Sequence, residues 1–415
     1  MSKTKTVIIA GNFFFPDKNA AGKYNLAYGL MLKKMGYNPV FIGTDENIDY
    51  GSNIEDTYIN IYGMDSYSMP YPKKPKDWGR YRSQYKRTMK IFDKYKSENI
   101  EAIIVFASPS FSIWTLKIRQ WTNENNIKLI AHCAEGVRFT KRGLIYSIVR
   151  GMDEILHKKY ILPKADGVIV GGPLLNEFFL EKGCKTIVFP TLTDTENTRN
   201  FVIPVLNKIY EVKRSNRKRN FIYAGIPFDI KSKQDKKNFK DRLDKTIELF
   251  NKVSLYTKDF YFNIYGLTKQ EYLKHVPEHS ELLSKNEDNI IFHGKVNFDT
   301  SLSSIINSDF YIFHREKTRI NQSAFPTKVS EAISLGVPII TTNTSYIFDF
   351  VKHKNTGFEI NKDNDVQTII NLIKLTDQEI LNFRINCIED KTFDYRYSVE
   401  KFNDFMISVL NNHEK

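Results

Sequence analysis

Residues 323–343 have the sequence SAFPTKVSEAISLGVPIITTN, in which a loop, a short helix and a buried strand are predicted in succession. Pro326 favours the first turn of a helix because its ring pre-sets φ. We predict the helix over about 328–335. Gly336 can adopt the left-handed conformation that ends a helix, and the apolar run 337–340 is typical of a buried parallel strand.

The predicted helix has two different faces. Lys328 and Glu331 are three residues apart and share one face. Val329, Ala332 and Ile333 point the other way, where they can pack on a sheet. A cation and a carboxylate therefore lie near the helix N-terminus, a place that suits an anion and a sugar hydroxyl.

This stretch resembles a motif of the retaining GT-B glycosyltransferases, especially the branch that builds bacterial capsule and other surface polysaccharides. Those proteins carry a similar Phe-Pro-(Ser/Thr)-Lys-x-x-Glu-(Ala/Tyr) sequence, followed by Gly-x-Pro and a hydrophobic strand. The resemblance implies that Lys328 contacts the donor diphosphate and that Glu331 holds the nucleotide ribose. Many relatives have another glutamate eight positions earlier, at the donor sugar, whereas this chain has Ser323.

Length and composition favour two ordinary domains. The chain has 415 residues and 41% hydrophobic content, enough for two cores. Three scattered cysteines, Cys133, Cys184 and Cys387, suit a reducing compartment better than a disulfide framework or a zinc site. The N-terminus lacks the pattern of a secretory signal, and no stretch reaches the roughly 18 apolar residues that span a bilayer. We expect a cytoplasmic protein that can also bind peripherally to the inner face of the plasma membrane.

The net charge of +13 is concentrated in the N-terminal half. Residues 73–96 hold ten Lys or Arg among five aromatic residues, with Tyr71 just before them, and residues 138–164 hold seven more basic residues. Such segments suit an anionic membrane surface. The alternative is a solvated helix whose aromatic side chains reach the core. Nucleic acid is not expected, because no recognised nucleic-acid module accompanies them.

Strand and helix patterns alternate along the chain, which predicts an α/β protein with parallel sheets. Together with the resemblance, they predict a GT-B fold of two doubly wound, Rossmann-like domains facing a central cleft. We expect an acceptor-side domain over 1–200 and a nucleotide-sugar domain over 201–394. We place the linker within 190–220 and expect a C-terminal helix, about 395–415, to cross back to the first domain.

Candidate donor-binding residues follow predicted strands, because ligands of open α/β sheets lie at the carboxyl ends of strands. By resemblance, Gly22 lies in the first strand-to-helix loop, near the donor phosphates. Lys240, with Asp241 after it, matches the lysine of a Lys-Asp pair, for which Lys231 and Lys237 are the alternatives. Arg315 matches an arginine at a strand end, where a salt bridge is the alternative. Both are near diphosphate in relatives. Tyr265 and Gly266 match a position that borders the nucleotide pocket.

Two further candidates follow a predicted strand of the first domain. His132 and Glu135 match positions that face the acceptor or the transferred sugar in similar proteins. A neutral histidine could donate a hydrogen bond to a sugar hydroxyl, and a carboxylate could accept the proton of the acceptor. For His132 the alternative is a histidine satisfied by backbone at a strand end.

No metal or other cofactor is expected. The histidines show no metal-ligand spacing, and the sequence Asp-Asn-Asp at 363–365 precedes a predicted helix, which makes it a helix cap. The resemblance also implies that GT-B enzymes neutralise the leaving diphosphate with side chains and helix termini.

The resemblance implies sugar transfer, with retention, from a UDP- or GDP-sugar to a glycan or lipid-linked oligosaccharide acceptor. Arg315, Lys328 and Lys240 would stabilise the charge that grows on the leaving diphosphate. Two alternatives stay open. Ser323 is compatible with a non-catalytic protein that binds nucleotide or glycan, and the same fold also serves nucleotide-sugar epimerases. The sugar, the base, the linkage and the oligomeric state are not determined by the sequence.

Overall fold

The computed structural model divides into two compact units. The first comprises Met1–Thr193, Ser323–Phe325 and Asp394–Lys415, and the second comprises Asp194–Gln322 and Pro326–Phe393. The predicted domain boundaries are at 200 and 394. The chain passes from the first unit to the second after Thr193 and returns to the first after Phe393. The structure describes residues 5–15, 19–74, 76–106, 112–134, 144–211, 217–230 and 235–411.

The first unit contains an eight-stranded sheet over its described residues, in the order β3-β4-β2-β1-β5-β6-β7-β8. β3 and β4 pair antiparallel, and the other neighbours pair in parallel. The strands are β1 (Thr6–Gly11), β2 (Asn38–Asp45), β3 (Ile59–Ile61), β4 (Met64–Pro70), β5 (Ile100–Phe106), β6 (Lys128–Cys133), β7 (Gly167–Val170) and β8 (Thr186–Val188).

Helices cover both faces of this sheet. Ile8 and Ala10 belong to one buried hydrophobic cluster, and Val7 and Ile9 to the other, because successive strand residues point to opposite faces. A strand buried on both sides is continuously apolar, as β1 is. The helices are α1 (Ala20–Lys34), α2 (Asp77–Ser83), α3 (Tyr85–Tyr95), α4 (Ser112–Glu124), α5 (Leu144–Ile155), which continues as a π-helical segment (Leu156–Ile161), and α6 (Pro173–Leu180).

The second unit contains a six-stranded parallel sheet in the order β11-β10-β9-β12-β13-β14. The chain moves outward from β9 in one direction and then returns to build the other half from β12. The order therefore reverses between β9 and β12, where doubly wound sheets form a crevice. The strands are β9 (Arg219–Ala224), β10 (Phe260–Tyr265), β11 (Ile290–Gly294), β12 (Phe310–Phe313), β13 (Ile339–Thr341) and β14 (Gly357–Glu359).

The segment predicted as a linker is largely helical. Helix α7 occupies Thr195–Glu211 and packs on other helices of the second unit. The remaining helices are α8 (Leu243–Val253), α9 (Lys269–Leu273), α10 (Ser280–Lys285), α11 (Phe298–Ile306), α12 (Arg319–Gln322), α13 (Thr327–Ser334), α14 (Asp365–Ile373) and α15 (Asp377–Glu389).

Helix α13 is the short helix expected from the opening motif. It begins one residue earlier than predicted, with Pro326 as its N-cap. Gly336 follows it with a φ of +67°, so the predicted left-handed stop is confirmed. Val329 and Ile333 are buried against the rest of the unit, whereas Lys328 on the opposite face is only partly covered.

The last helix, α16 (Val399–Leu410), packs in the first unit against α1 and β8. Phe402 is fully buried and lies 5.7 Å from the ring of Tyr28 and 6.0 Å from that of Phe189. Aromatic packing thus attaches the C-terminal segment to the first sheet. Over the described ranges, every helix is too short or too polar to cross a bilayer.

Candidate functional site

The candidate site lies at the carboxyl ends of β9 and β12, where the order of the second sheet reverses. Gly225 follows β9, Arg315 follows β12 by two residues, and Lys328 is the second residue of α13. The three segments are distant in sequence, and the parallel sheet brings their ends to one edge.

A buried carboxylate, Asp241, is the centre of this site. Its side chain is 2% exposed. Arg315 Nε donates to its Oδ1 over 2.8 Å, and the hydroxyl of Tyr223 donates to its Oδ2 over 2.9 Å. Lys328 Nζ forms an ion pair with Oδ2 as well. We call Asp241, Tyr223, Arg315 and Lys328 the Asp241 cluster.

The charges of the Asp241 cluster determine its protonation. Burial would raise the pKa of Asp241, but Lys328 and Arg315 outweigh burial and hold that pKa well below its usual range. Burial, and then the charges of Arg315 and Lys240, lower the pKa of Lys328, although Asp241 opposes them. With all three groups ionised, two cations face one carboxylate. One positive charge is left over for an anionic ligand.

Aromatic rings fix the position of the Lys328 ammonium. Its Nζ lies 4.4 Å from the ring centroid of Tyr223 and 5.3 Å from that of Phe313. Both rings belong to the strands that flank the reversal point, and a cation over a ring face is attracted by its quadrupole. The lysine is therefore oriented by β9 and β12 as well as by Asp241.

Arg315 is held by the neighbouring strand end. Its backbone N–H donates to Thr342 Oγ1 over 3.0 Å, and that hydroxyl donates back to the Arg315 carbonyl over 2.6 Å. The side chain is 2% exposed. A long side chain with fixed backbone and fixed Nε loses little further freedom when it binds an anion.

Lys240 directly precedes Asp241, in the loop that leads into α8. Its N–H donates to the Pro227 carbonyl over 2.9 Å, and its carbonyl accepts from Asn321 Nδ2 over 3.2 Å. Its charge adds to burial and to the charge of Arg315 in lowering the pKa of Lys328. The structure thus brings Lys240, Arg315 and Lys328 together.

Tyr265 and Gly266 lie at the end of β10, one strand from the cluster. Gly266 has a φ of +112°, and a Cβ added there would lie 2.3 Å from the carbonyl oxygen of Gly225. The two strand ends therefore approach more closely than a side chain allows. The ring of Tyr265 stacks on His293 at 4.2 Å with an interplanar angle of 7°.

Glu331 lies one turn beyond Lys328 on the same face of α13, and it is partly exposed. Burial and then the charge of Glu331 raise the pKa of Tyr311, which places the carboxylate near β12. The hydroxyl of Tyr311 accepts from the N–H of Ala224 over 3.1 Å. Glu331 is therefore close to the same strand ends as the cluster.

His132 belongs to the first unit and is the penultimate residue of β6, whereas it was expected just after the strand. It is 1% exposed, and burial lowers its pKa to about 3, so the ring is neutral. Nε2 lies 3.4 Å from the Tyr28 hydroxyl, whereas the buried Nδ1 has no hydrogen-bond partner within the described residues. The alternative of a histidine satisfied by backbone is therefore not what the structure shows. Glu135 lies outside the described residues.

Gly22 does not lie in the loop where it was predicted. Helix α1 begins at Ala20, so Gly22 is in its first turn. Its N–H donates to the side chain of the N-cap residue, Asn19 Oδ1, over 2.7 Å. The prediction of a loop position is wrong because Asn19 caps the helix before Gly22 is reached.

The basic segment 73–96 forms α2 and α3, and its aromatic side chains turn inward. Tyr81, Phe92 and Tyr95 are buried in the first unit, and Trp78 and Tyr85 pack against the same core. The segment is therefore the solvated helix whose aromatic side chains reach the core, rather than a membrane-binding helix. Its lysines and arginines are largely on the surface, but these aromatic residues cannot serve as membrane anchors.

Two members of the cluster were not predicted as site residues. Asp241 was noticed only as the neighbour of Lys240, and Tyr223 only as part of a strand. An aspartate between a lysine-rich loop and a helix was the available signal. Over the described residues, no group of three or more His, Cys, Asp or Glu side chains is placed to hold a metal ion.

Residues 234–389 match the family model described as Glycosyl transferases group 1. The matched segment includes Lys240, Asp241, Arg315, Lys328 and Glu331. This segment is similar to the group 1 glycosyltransferase domains. The prediction that the chain is a glycosyltransferase is confirmed at that level. No curated protein matches the chain.

Solved structures share the fold of the whole chain. Sucrose-phosphate synthase from Thermosynechococcus elongatus is 13% identical with a TM-score of 0.64, covering 96% of this chain and 98% of that one. The catalytic domain of Arabidopsis thaliana starch synthase IV, bound to ADP and acarbose, is 11% identical with a TM-score of 0.65, covering 99% and 100%. Anabaena Alr3699/HepE in complex with UDP is 12% identical with a TM-score of 0.58, covering 97% and 100%. The predicted GT-B fold, with two Rossmann-like units, is confirmed.

Proposed function

We propose that this glycosyltransferase transfers a sugar from a UDP- or GDP-sugar to a glycan or lipid-linked glycan acceptor, with retention at the anomeric carbon. The observation that carries the proposal is the Asp241 cluster. It presents Lys328 and Arg315, with Lys240 nearby, at the crevice of a doubly wound sheet. Fixed cations at that position suit a diphosphate.

In the proposed reaction the cations act on the leaving group. As the bond to the sugar breaks, negative charge grows on the diphosphate and the sugar becomes oxocarbenium-like. Lys328 and Arg315 stabilise that charge without reorganising, because Asp241 and the flanking rings already hold them in place. A phosphate oxygen of the leaving group then takes the proton of the acceptor hydroxyl on the same face, which gives retention.

Glu331 would hold the nucleotide ribose, and Tyr265 with Gly266 would border the base. These roles rest on the resemblance of 323–343 to the polysaccharide-building branch and on the position of the residues at neighbouring strand ends. The same resemblance supports a role in cell-surface polysaccharide synthesis. The solved relatives that carry UDP or ADP agree with a nucleoside diphosphate donor, and no metal is proposed.

The test is the Lys328→Ala variant, with Lys285→Ala as the matched control. Lys285 lies in the same unit, and its exposed ammonium pairs with Glu281 on the surface. We expect Lys328→Ala to lower turnover of UDP- or GDP-sugars by about 100-fold or more, with cooperative thermal unfolding retained. The control should retain wild-type turnover. Unchanged turnover in Lys328→Ala would remove the lysine from the mechanism.

Thermal-shift titrations with UDP, GDP and their sugar conjugates separate this proposal from the alternatives. Stabilisation by one nucleotide series, lost in Glu331→Ala and indifferent to EDTA, supports a metal-free donor site and identifies the base. Donor binding without transfer to a broad panel of acceptors would favour the non-catalytic alternative, which Ser323 motivates. Conversion of a UDP-sugar to its epimer without acceptor would identify an epimerase.

A further inference from the structure

The helical segment 148–160 of the first unit has an exposed apolar stripe. The exposed fractions are 51% for Ile148, 46% for Val149, 66% for Met152, 45% for Leu156 and 61% for Tyr160. Ile148, Met152 and Leu156 follow one another at intervals of four, and Tyr160 continues the series in the π-helical segment. Side chains at this spacing lie on one helical face.

Several polar residues of the same segment are buried or already paired. Glu154 is buried, and its carboxylate pairs with Arg150 over 3.2 Å and with Lys158 over 3.7 Å. Asp153 accepts a hydrogen bond from Ser112 of α4. The usual amphipathic arrangement is thus reversed, since a buried ion-pair network attaches the helix and the apolar side chains are left outside.

The neighbouring helix adds to this apolar surface. Helix α4 packs against the π-helical segment, and two of its large apolar side chains, Ile113 and Leu116, are 38% and 47% exposed. Large apolar side chains exposed on two helices that pack together indicate an interaction site. We call Ile113, Leu116, Ile148, Val149, Met152, Leu156 and Tyr160 the α4–α5 apolar face.

The charge around this face indicates what covers it. In the described ranges 112–134 and 144–164, seven Lys or Arg stand against three Asp or Glu, and two of the three acids are Asp153 and Glu154, which are engaged within the unit. Lys159 and Lys164 are exposed beside the stripe. An apolar face with a basic rim is complementary to the interface of an anionic bilayer.

We infer that the α4–α5 apolar face docks this chain on an anionic lipid surface. The inference deepens the proposed function and rests on it for its purpose, because a peripheral enzyme on a bilayer meets a lipid-linked acceptor directly. The docking itself depends only on the first unit. It also replaces the aromatic residues of 73–96, which are buried, as the apolar part of the membrane-binding surface.

The test is co-sedimentation of the full chain with vesicles of phosphatidylcholine alone or of phosphatidylcholine mixed with phosphatidylglycerol. We expect binding to the anionic vesicles that weakens as salt is added. The double variant Met152→Ser, Leu156→Ser should bind about tenfold or more weakly, since it loses two inserted apolar side chains. Lys159→Glu should also bind more weakly, to the anionic vesicles specifically.

The matched control is Leu255→Ser, Tyr256→Ser, which removes two side chains that are 79% and 73% exposed on the second unit. It should bind vesicles like wild type. Equal binding by the Met152, Leu156 variant, or no binding by wild type, would overturn the inference. If sedimentation velocity shows a dimer that the same variant converts to a monomer, while vesicles are ignored, a second copy covers the face and the inference fails.

Donor binding distinguishes this failure from failure of the proposed function. The thermal shift with UDP or GDP should be the same in wild type and in the Met152, Leu156 variant. A protein that binds nucleotide but ignores vesicles contradicts only the docking. A protein that binds vesicles but shows no nucleotide dependence contradicts only the donor site.

Discussion

Asp241 accounts for the arrangement of the proposed donor site at the scale of single residues. An ionised carboxylate that is 2% exposed is costly unless it is paired. Arg315 and Lys328 supply the pairing, and the hydroxyl of Tyr223 supplies a further hydrogen bond. The carboxylate in return fixes both cations before any ligand arrives. Asp241 is thus a positioning residue.

Replacement of Asp241 by Asn should show this role. In Asp241→Asn two cations face each other without a carboxylate, and we expect the free energy of unfolding to fall by about 3 kcal/mol. A nucleoside diphosphate supplies the missing negative charge. UDP or GDP, whichever stabilises wild type, should therefore raise the melting temperature of Asp241→Asn more than that of wild type.

Asp309→Asn is the matched control for that experiment. Asp309 is also buried in the second unit, where its Oδ1 pairs with Arg217 over 2.6 Å. Its loss should destabilise the protein to a similar degree, but nucleotide should not give an enlarged melting shift. An equal nucleotide effect in both variants would contradict the positioning role.

At the scale of elements, the ends of β9 and β10 are packed backbone against backbone. Gly266 makes this possible, because its φ of +112° and the 2.3 Å approach to the Gly225 oxygen exclude a Cβ. The loops after the two strands can then lie side by side. This brings the Tyr265 ring near the strand end that precedes the cluster.

Gly266→Ala should therefore destabilise the second unit by about 2 kcal/mol, since it combines a disfavoured backbone conformation with a steric clash. Nucleotide affinity should fall as well, because the two strand ends must separate. Urea unfolding and thermal shift with nucleotide measure the two effects. Gly79→Ala in α2 is the comparison, since a Cβ there meets nothing within 4 Å, and it should stabilise slightly. Wild-type stability of Gly266→Ala would disprove the packing argument.

At the scale of the whole molecule, each unit buries a histidine that the fold keeps neutral. Burial lowers the pKa of His132 in the first unit to about 3, and burial with nearby cations lowers that of His314 in the second to about 4. Both values lie below the ordinary value of about 6.5 for an unfolded chain. In mild acid the unfolded state therefore binds more protons than the folded state. The free energy of unfolding thus decreases as the pH is lowered.

The neutral His132 ring contributes fully to stability above about pH 7. This contribution is lost as the pH falls through 6.5 toward 3. Between pH 7.5 and 5, one such histidine accounts for about 2 kcal/mol of the decrease in stability. His132→Gln should show a decrease smaller by that amount when urea unfolding of the first unit is followed at both pH values. The exposed His353→Gln should retain the full wild-type decrease. An unaltered pH dependence in His132→Gln would show that the ring is not buried neutral.

Local spacing was sufficient for several features of the site. The shared face of Lys328 and Glu331 follows from the helical period, and the positions of Arg315 and Tyr265 follow from runs of apolar residues that predict strands. Gly336 was predicted to end its helix because few other residues adopt its conformation. Alternation of strands and helices predicted the α/β class, since only parallel sheets covered on both faces satisfy that pattern.

Residue spacing did not predict the structure where a residue suited two different environments. Gly22 was assigned to a loop because a glycine near a helix start suits both a loop and a first turn, and Asn19 decided the matter by capping. The aromatic residues of 73–96 suited a membrane or a core equally well by composition. Their burial depends on the sheet of the first unit, which offers Tyr81 and Phe92 an apolar surface.

The sequence by itself thus determined the strands and the short helix that carry the cations of the site, because these depend on neighbours along the chain. Only the tertiary structure decided that Asp241 pairs with Lys328, 87 residues away, and that the apolar residues of 148–160 stay outside. Both outcomes depend on which strands become neighbours and which helix faces are covered. Those are contacts between distant segments, which residue spacing does not specify.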